Sequence, residues 1–395
     1  MSGTEWRIDE TELLTLSKEL IRIPSVFTKE DEISKFVLSK FEDWGFSPKA
    51  LPVEGHGPCV VVQTGDPELP SIVFNGHMDT VEVMEGWIHD PFGAVVEDGR
   101  LYGLGALDMK CGLAAMMLAF RELSSSDKLR GHSLKFQAVT GEELSGGGTR
   151  AAIANGELDT AKAVIVGEGF GGLRAVTNGR RGGSYFDFEV RGKAAHGAAP
   201  HLGVNAVVDA SRLICELERM PMATTEGIMA DDFSPLRESQ TVLRIAGGGA
   251  SLSVPDKCTV RLVRCTIPGG KVDVTDDMRA VVESAGLKSE VEVRFNDAPV
   301  DLYHPFRTDS GSPLVVAAVE SLEEHTGVRP ALVCGVSEAD DNIIARELGL
   351  PVICVGPGES GELARYHKPE ECVTVSQLPT AAKVYCSIVE RLCGA

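Results

Sequence analysis

SIVFNGHMDT, residues 71–80, carries a run suited to a buried strand into Gly76 and then presents His77 and Asp79 two positions apart. Side chains at i and i+2 of extended chain leave on the same face, so an imidazole and a carboxylate exit this strand together. A carboxylate beside a metal-binding imidazole is the usual group that orients the ring and raises its basicity. Taken alone, the pair says little. Its meaning depends on what stands at the ends of the other strands.

Outward from this stretch, PCVVVQTG (58–65), SLKFQAVTG (133–141) and KAVIVGEG (162–169) are similar short apolar runs closed by glycine. Between and around them, residues 9–23, 30–45 and 110–123 place apolar side chains at helical spacing, the second run ending at Gly45. Strands that are apolar throughout, alternating with helices, predict an α/β fold: a mostly parallel mixed sheet with helices on both faces. Near residue 180 the texture changes. SYFDFEVRG (184–192), QTVLRIAGG (240–248), CTVRLVRCTI (258–267) and SEVEVRFND (289–297) read as half-buried strands, with helices over 205–220 and 275–287. That order is βαββαβ, a ferredoxin-like α+β unit. The α/β texture resumes with a helix over 312–327, a strand in PVICVGPG (351–358) and a closing helix over 376–392. The plan is a discontinuous domain of residues 1–178 and 299–395 with a smaller domain, 179–298, inserted in it.

The bulk properties set limits. The chain has 395 residues, a net charge of −20 and 24% charged residues. Such a surface repels phosphate backbones and anionic bilayers, so neither nucleic acid nor membrane is expected as a partner. No run approaches 18 apolar residues, and the first residues show no signal-peptide core. The ten cysteines form no paired spacing and several sit in apolar runs. Together these point to the cytoplasm and argue against cysteine metal ligation.

The other strand ends carry Glu142 and Glu143 after SLKFQAVTG, Glu168 after AVIVG, and His367 downstream of VICVGPG; Asp108 follows a glycine-rich loop just before a helix. Ligands of open α/β sheets bind outside the carboxyl ends of strands, so these distant residues can converge. Two histidines and three carboxylates suit a pair of divalent ions, with zinc favoured by the imidazoles and cobalt or manganese able to replace it. One of the two adjacent glutamates can ligate while its neighbour takes a proton as general base. Singly, each residue has a plainer reading: a solvated turn for Glu142 and Glu143, a helix N-cap for Asp108, a surface position for His367.

NGHMDTV, GWIHDPFGAVVEDGRLYGLGALDMKCGLAA, TGEELSGGGT, VGEG, RGKAAHGAAPHLGVNAV, GPG and HKPEECV occur in this order between residues 75 and 373. In these segments the chain resembles the di-zinc family of aminoacylases, acetylornithine deacetylases, succinyl-diaminopimelate desuccinylases and glutamate carboxypeptidases. The resemblance implies that His77, Asp108 and Glu168 bind one zinc and Asp108, Glu143 and His367 the second, with Asp108 bridging. Asp79 would orient His77, and Glu142 would be the general base. The inserted domain looks like the family's lid, through which a homodimer forms and from which His196 would reach the tetrahedral oxyanion. Arg264 corresponds to a position that contacts a substrate carboxylate or is merely solvated, and Gly358 to one that offers its N–H to substrate or forms a plain turn. Leu104, Leu252 and Glu338 depart from the family pattern, where Arg, Asn and the Asp of SDA are common, and bear on substrate recognition. The implied activity is hydrolysis of a linear amide by a hydroxide shared between two zinc ions, with an N-acyl amino acid as substrate. A carboxypeptidase or dipeptidase acting on short peptides is the alternative. A metal-stabilised binding protein without catalysis is a third reading, which loss of the base or a ligand would mark; both are present.

Overall fold

The computed structural model describes residues 6–169, 171–249, 251–295, 303–358 and 365–394. The chain divides into two compact units, one of Met1–Arg180, Ile228–Ser234 and Arg307–Ala395 and one of Arg181–Gly227 and Pro235–Phe306. The expected boundary at 298/299 lies outside the described residues.

In the first unit the strand Ser71–His77 is central, paired in parallel with Ser133–Val139 on one side and Ala161–Val166 on the other. Cys59–Thr64 and Lys49–Leu51 extend the sheet antiparallel beyond the first neighbour. Beyond the second come Val352–Cys354, Ala175–Arg180 and Ala331–Gly335, then Met229 and Ala230. All seven residues of Ser71–His77 are buried. A strand buried on both pleat faces needs cover on both, which is why its sequence is a continuous apolar run rather than an alternating one. Helices Glu10–Arg22, Cys111–Ser124, Pro313–Thr326 and Gln377–Gly394 pack against one another as one group, and Gly147–Ala154 packs with Asp340–Leu348 as another. The mostly parallel mixed α/β sheet expected from sequence is therefore present.

The helix ends follow local chemistry. Asp9 caps Glu10–Arg22 by accepting from the N–H groups of Thr11 and Glu12. Ser312 caps Pro313–Thr326, which has proline in its first turn and stops at Gly327 with φ +72°. A small second sheet forms from the hairpin Val95–Glu97 and Arg100–Tyr102, with Cys372–Thr374 antiparallel to it. Its register sets Tyr102 opposite Cys372, so the chain leaving Tyr102 runs beside the chain arriving at Cys372.

The second unit is a four-stranded antiparallel sheet in the order Ser239–Gly247, Lys257–Thr266, Gly182–Arg191, Glu290–Phe295. With helices Ala206–Leu217 and Thr275–Ser284 this is the βαββαβ arrangement. Phe186, Phe188, Val190, Val260 and Leu262 pack with Ala210, Leu213, Leu217 and Met278 in its core. The opposite face carries ion pairs such as Arg261–Asp187 and Arg294–Glu189, each worth little in water. The strand Thr224–Ala230, which precedes Ser239–Gly247, has no clear signal in the sequence; its end belongs to the first unit. All ten cysteines are free thiols, nine of them buried. Among the described residues no helix is long and apolar enough to cross a membrane.

Candidate metal centre

His77 is the last residue of the central strand and is 3% exposed. Its Nδ1 lies 2.9 Å from the backbone carbonyl of Asp79, which can only accept, so Nδ1 carries a proton and Nε2 is the nitrogen that faces the site. Nε2 lies 3.0 Å from Asp108 Oδ1. On the other side of the same carboxylate, Asp108 Oδ2 lies 3.2 Å from His367 Nε2, which is also 3.1 Å from Glu143 Oε2. Asp108 thus offers one oxygen toward each imidazole. His77, Asp108 and Glu143 present ligand atoms that all lie within 4.8 Å of one another.

Asp79 meets the His77 ring through its backbone. Its carboxylate is 3.8 Å from His77 Nδ1, beyond hydrogen-bond range, and its own carbonyl orients the ring instead. The two carboxylate oxygens accept from the backbone N–H groups of Glu142 and Glu143 at 3.3 and 3.0 Å, so Asp79 anchors the turn that carries those two glutamates. That turn starts at Gly141, with φ +73°, where a Cβ would come within 2.6 Å of the His56 ring. Glu142 lines a small cavity together with Asn75, His77, Met109, Glu168 and Arg180.

Glu168, 5% exposed, leaves the strand Ala161–Val166 and pairs through Oε2 with Arg180 Nη2 at 2.7 Å. Arg180 is wholly buried; its Nε donates to Asp341 Oδ2 at 2.7 Å and its Nη1 to Ser337 Oγ at 3.0 Å. Asp340, next in line, accepts from Thr149 Oγ1 at 2.7 Å, while its Oδ1 is buried with no hydrogen-bond donor among the described residues. Neither Arg180 nor the Asp340–Asp341 pair was singled out in the sequence. The only local signals are a paired arginine ending one strand and a paired aspartate opening one helix.

The electrostatics are those of a site short of positive charge. Burial, against the pull of His77 and with Asp340, Glu143 and Glu168 adding repulsion, raises Glu142 well above the carboxylate range. Burial outweighs Arg180 and pushes Glu168 up to about 8, and it takes Asp340 to about 6. Burial and the Asp108 charge raise Glu143. Hydrogen bonds to Asp108 and Glu143 drive His367 up to about 11. Burial lowers His77, but Asp108 and Glu142 outweigh it and the net shift is upward. Carboxylates that resist ionising and imidazoles that hold protons mark a cluster in which cations are wanted. Two histidines and three carboxylates form a donor set that fits divalent ions, with two-fold access to Asp108.

The remaining expected residues have partners elsewhere in the fold. Gly358 donates its N–H to Gln377 Oε1 at 2.7 Å and lines a groove of about 560 Å³ with Arg174, His325 and Thr380. In the second unit Arg264 is 5% exposed and donates through Nη2 to Glu238 at 2.6 Å and through Nη1 to Gln240 at 3.3 Å. Its charge is balanced by Glu238, so a substrate carboxylate would have to displace that partner. His196 lies on an exposed stretch and its Nδ1 accepts from the Ala198 N–H at 3.1 Å. Of the departures from the family pattern, Leu104 is buried and Leu252 is 76% exposed.

Comparison with known proteins gives the family of the chain. The sequence profile described as Peptidase family M20/M25/M40 matches residues 73–391. The aminopeptidase PepT of Bacillus cereus is similar over 98% of this chain and 99% of its own, with 25% identity and a TM-score of 0.76. The metallo-carboxypeptidase Sso-CP2 of Sulfolobus solfataricus, an M20 family member, shares the fold over 98% of this chain and 100% of its own at 18% identity and a TM-score of 0.77. So does the YXEP protein of Bacillus subtilis, a dinuclear metal-binding peptidase of the M20 family, over 98% of each chain at 15% identity and a TM-score of 0.71. A match over most of the chain, on a fold shared end to end and around a His–Asp–Glu cluster that wants cations, places this protein in Peptidase family M20/M25/M40 as a metal-dependent hydrolase.

Proposed function

We propose that the chain hydrolyses a linear amide bond in a small substrate at a centre of two divalent ions, zinc by preference, held by His77, Asp108, Glu143, Glu168 and His367. The observation that carries this reading is the placement of Asp108, whose two oxygens face His77 and His367 at 3.0 and 3.2 Å. When bound, the ions would supply a Lewis acid for the amide carbonyl and an acidified water as nucleophile. The chain's own residues do the rest. The Asp79 carbonyl holds the His77 tautomer, and the Asp79 carboxylate holds the turn at Glu142. Glu142, with a raised proton affinity and a place in the cavity beside His77, takes the proton from water and returns it to the leaving amine. His196 is the proposed donor to the oxyanion.

An N-acyl amino acid is the substrate class implied by the sequence resemblance. A short peptide is the second reading, favoured by the likeness to the aminopeptidase PepT at 25% identity. The second unit is the proposed dimerisation element, supported by the edge strand Ser239–Gly247, where Leu243 and Ile245 are 51% and 49% exposed.

The test is release of free amine from N-acetyl and N-succinyl amino acids, dipeptides, tripeptides and C-terminal glutamyl amides, each with and without chelator. Chelator-sensitive release from one class establishes the hydrolase and chooses between the readings. Glu142→Ala should lower turnover by about 10²- to 10⁴-fold with metal content unchanged. Undiminished turnover in that variant would remove Glu142 from the mechanism.

A further inference from the structure

Glu371, in the stretch HKPEEC (367–372), is 1% exposed. Its Oε1 accepts from the backbone N–H groups of Leu107 and Asp108 at 2.7 and 3.0 Å, and its Oε2 from that of Gly105 at 3.1 Å. The backbone joins in, the Gly103 N–H donating to the Glu371 carbonyl at 3.0 Å. Gly105, at φ +78°, turns the chain so that these N–H groups converge on one carboxylate, a small anion-binding nest filled by a residue from 263 positions away. The antiparallel pairing of Tyr102 with Cys372 brings the two segments together. One carries Asp108, the other His367.

We propose that Glu371 is a positioning residue for the metal centre: by binding the N–H of Asp108 itself and two more in the same turn, it sets where the shared carboxylate stands between His77 and His367. This rests on the two-ion reading of the site given above. The neighbouring Glu370 has a separate task. It accepts from the N–H groups of Ile88 and His89 at 2.7 and 3.1 Å and meets His89 Nδ1 at 2.6 Å, clasping the 81–90 loop. Two adjacent glutamates therefore hold two different segments, and one serves as the control for the other.

In Glu371→Gln the amide oxygen can still accept from Leu107 and Asp108, but the amide nitrogen would face the Gly105 N–H, donor against donor. Glu371→Leu removes all three acceptances at similar volume. The experiment measures cobalt(II) affinity, by competition with a chromophoric chelator, and the visible d–d absorption of the cobalt-loaded protein for wild type, both Glu371 variants and Glu370→Gln. Altered bands and an affinity about 10- to 100-fold weaker are expected for Glu371→Gln, with a larger loss for Glu371→Leu. Glu370→Gln should match wild type in both. Wild-type affinity and bands in both Glu371 variants, even with lowered thermal stability, would overturn the assignment and leave Glu371 a purely structural role. So would failure of both Glu371 variants to fold in saturating cobalt while Glu370→Gln folds. Wild-type protein that binds no cobalt would instead overturn the metal-centre reading itself.

Discussion

Replacing Arg180 by Met tests the electrostatic account of the site most directly. The guanidinium is wholly buried and bridges Glu168 and Asp341, with both contacts at 2.7 Å. Met keeps most of the side-chain length but leaves the buried carboxyl groups of Glu168 and Asp341 without their shared cation. Deleting one partner of a buried pair costs about 3–5 kcal/mol, because the uncompensated charge stays behind. At about 2–4 °C per kcal/mol, as for domains of about 150–250 residues, the melting temperature of the metal-free protein should fall by roughly 10 °C. Two further measurements separate charge from packing. Adding Asp341→Asn to the Met variant removes one of the stranded charges and should recover part of the loss, giving a coupling energy of the order expected for residues in one network, about 0.5–3 kcal/mol. Saturating zinc should also narrow the gap, since added cations compensate the carboxylates that Arg180 no longer reaches. Differential scanning calorimetry on Arg180→Met, Asp341→Asn and the double variant, with and without metal, reads all of this. A loss under about 1 kcal/mol in Arg180→Met, or an additive double variant, would refute the reasoning.

Three other outcomes follow from specific contacts. Hydrogen bonds that the His89 ring donates to Glu370 and Glu97 raise its pKa, so the clasp it makes is present below the ordinary imidazole value and is lost as pH rises through the raised one. Proteolysis within residues 81–92 should accelerate on that rise, and His89→Ala should make cleavage independent of pH; a flat profile in wild type would count against the clasp. Gly141→Ala places a methyl group within 2.6 Å of His56 at a left-handed backbone position, so it should destabilise by about 1–3 kcal/mol and lower turnover by shifting Glu142. Unchanged denaturation and kinetics would mean that the turn has room the contacts deny. Ile245→Asp on the exposed edge strand should shift the oligomeric state toward monomer in light scattering, whereas an unchanged mass would exclude this edge as the dimer contact.

Much of the fold was legible because periodicity is local. The continuous apolar run before His77 could only be a strand covered on both faces, and the alternation in SYFDFEVRG could only be a strand covered on one. The candidate ligands were legible for a related reason: a strand that ends in a histidine or carboxylate delivers it to the same rim as its parallel neighbours. His77, Glu143 and Glu168 leave parallel strands on this account, whereas Asp108 and His367 lie on segments that the pairing of Tyr102 with Cys372 brings together.

What sequence could not reveal is which charges are buried and with whom, because desolvation is a property of the packed chain. Arg180 in NGRRGG and Glu371 in HKPEEC look like surface turn residues, and both are enclosed. The carboxylate of Asp79 sits two positions from His77 in sequence, but the strand exit turns it toward the Glu142–Glu143 backbone and leaves its carbonyl to hold the ring. Arg264 reads from sequence as facing a substrate carboxylate or solvent, and Gly358 as offering its N–H to substrate or forming a plain turn; packing gives each a partner, Glu238 for one and Gln377 for the other. Sequence by itself determined the strands, the helices and the rim on which the chemistry gathers, since these follow from short-range spacing. Tertiary structure alone decided the hydrogen-bond partners that orient each group there, because those contacts join segments that no local pattern relates.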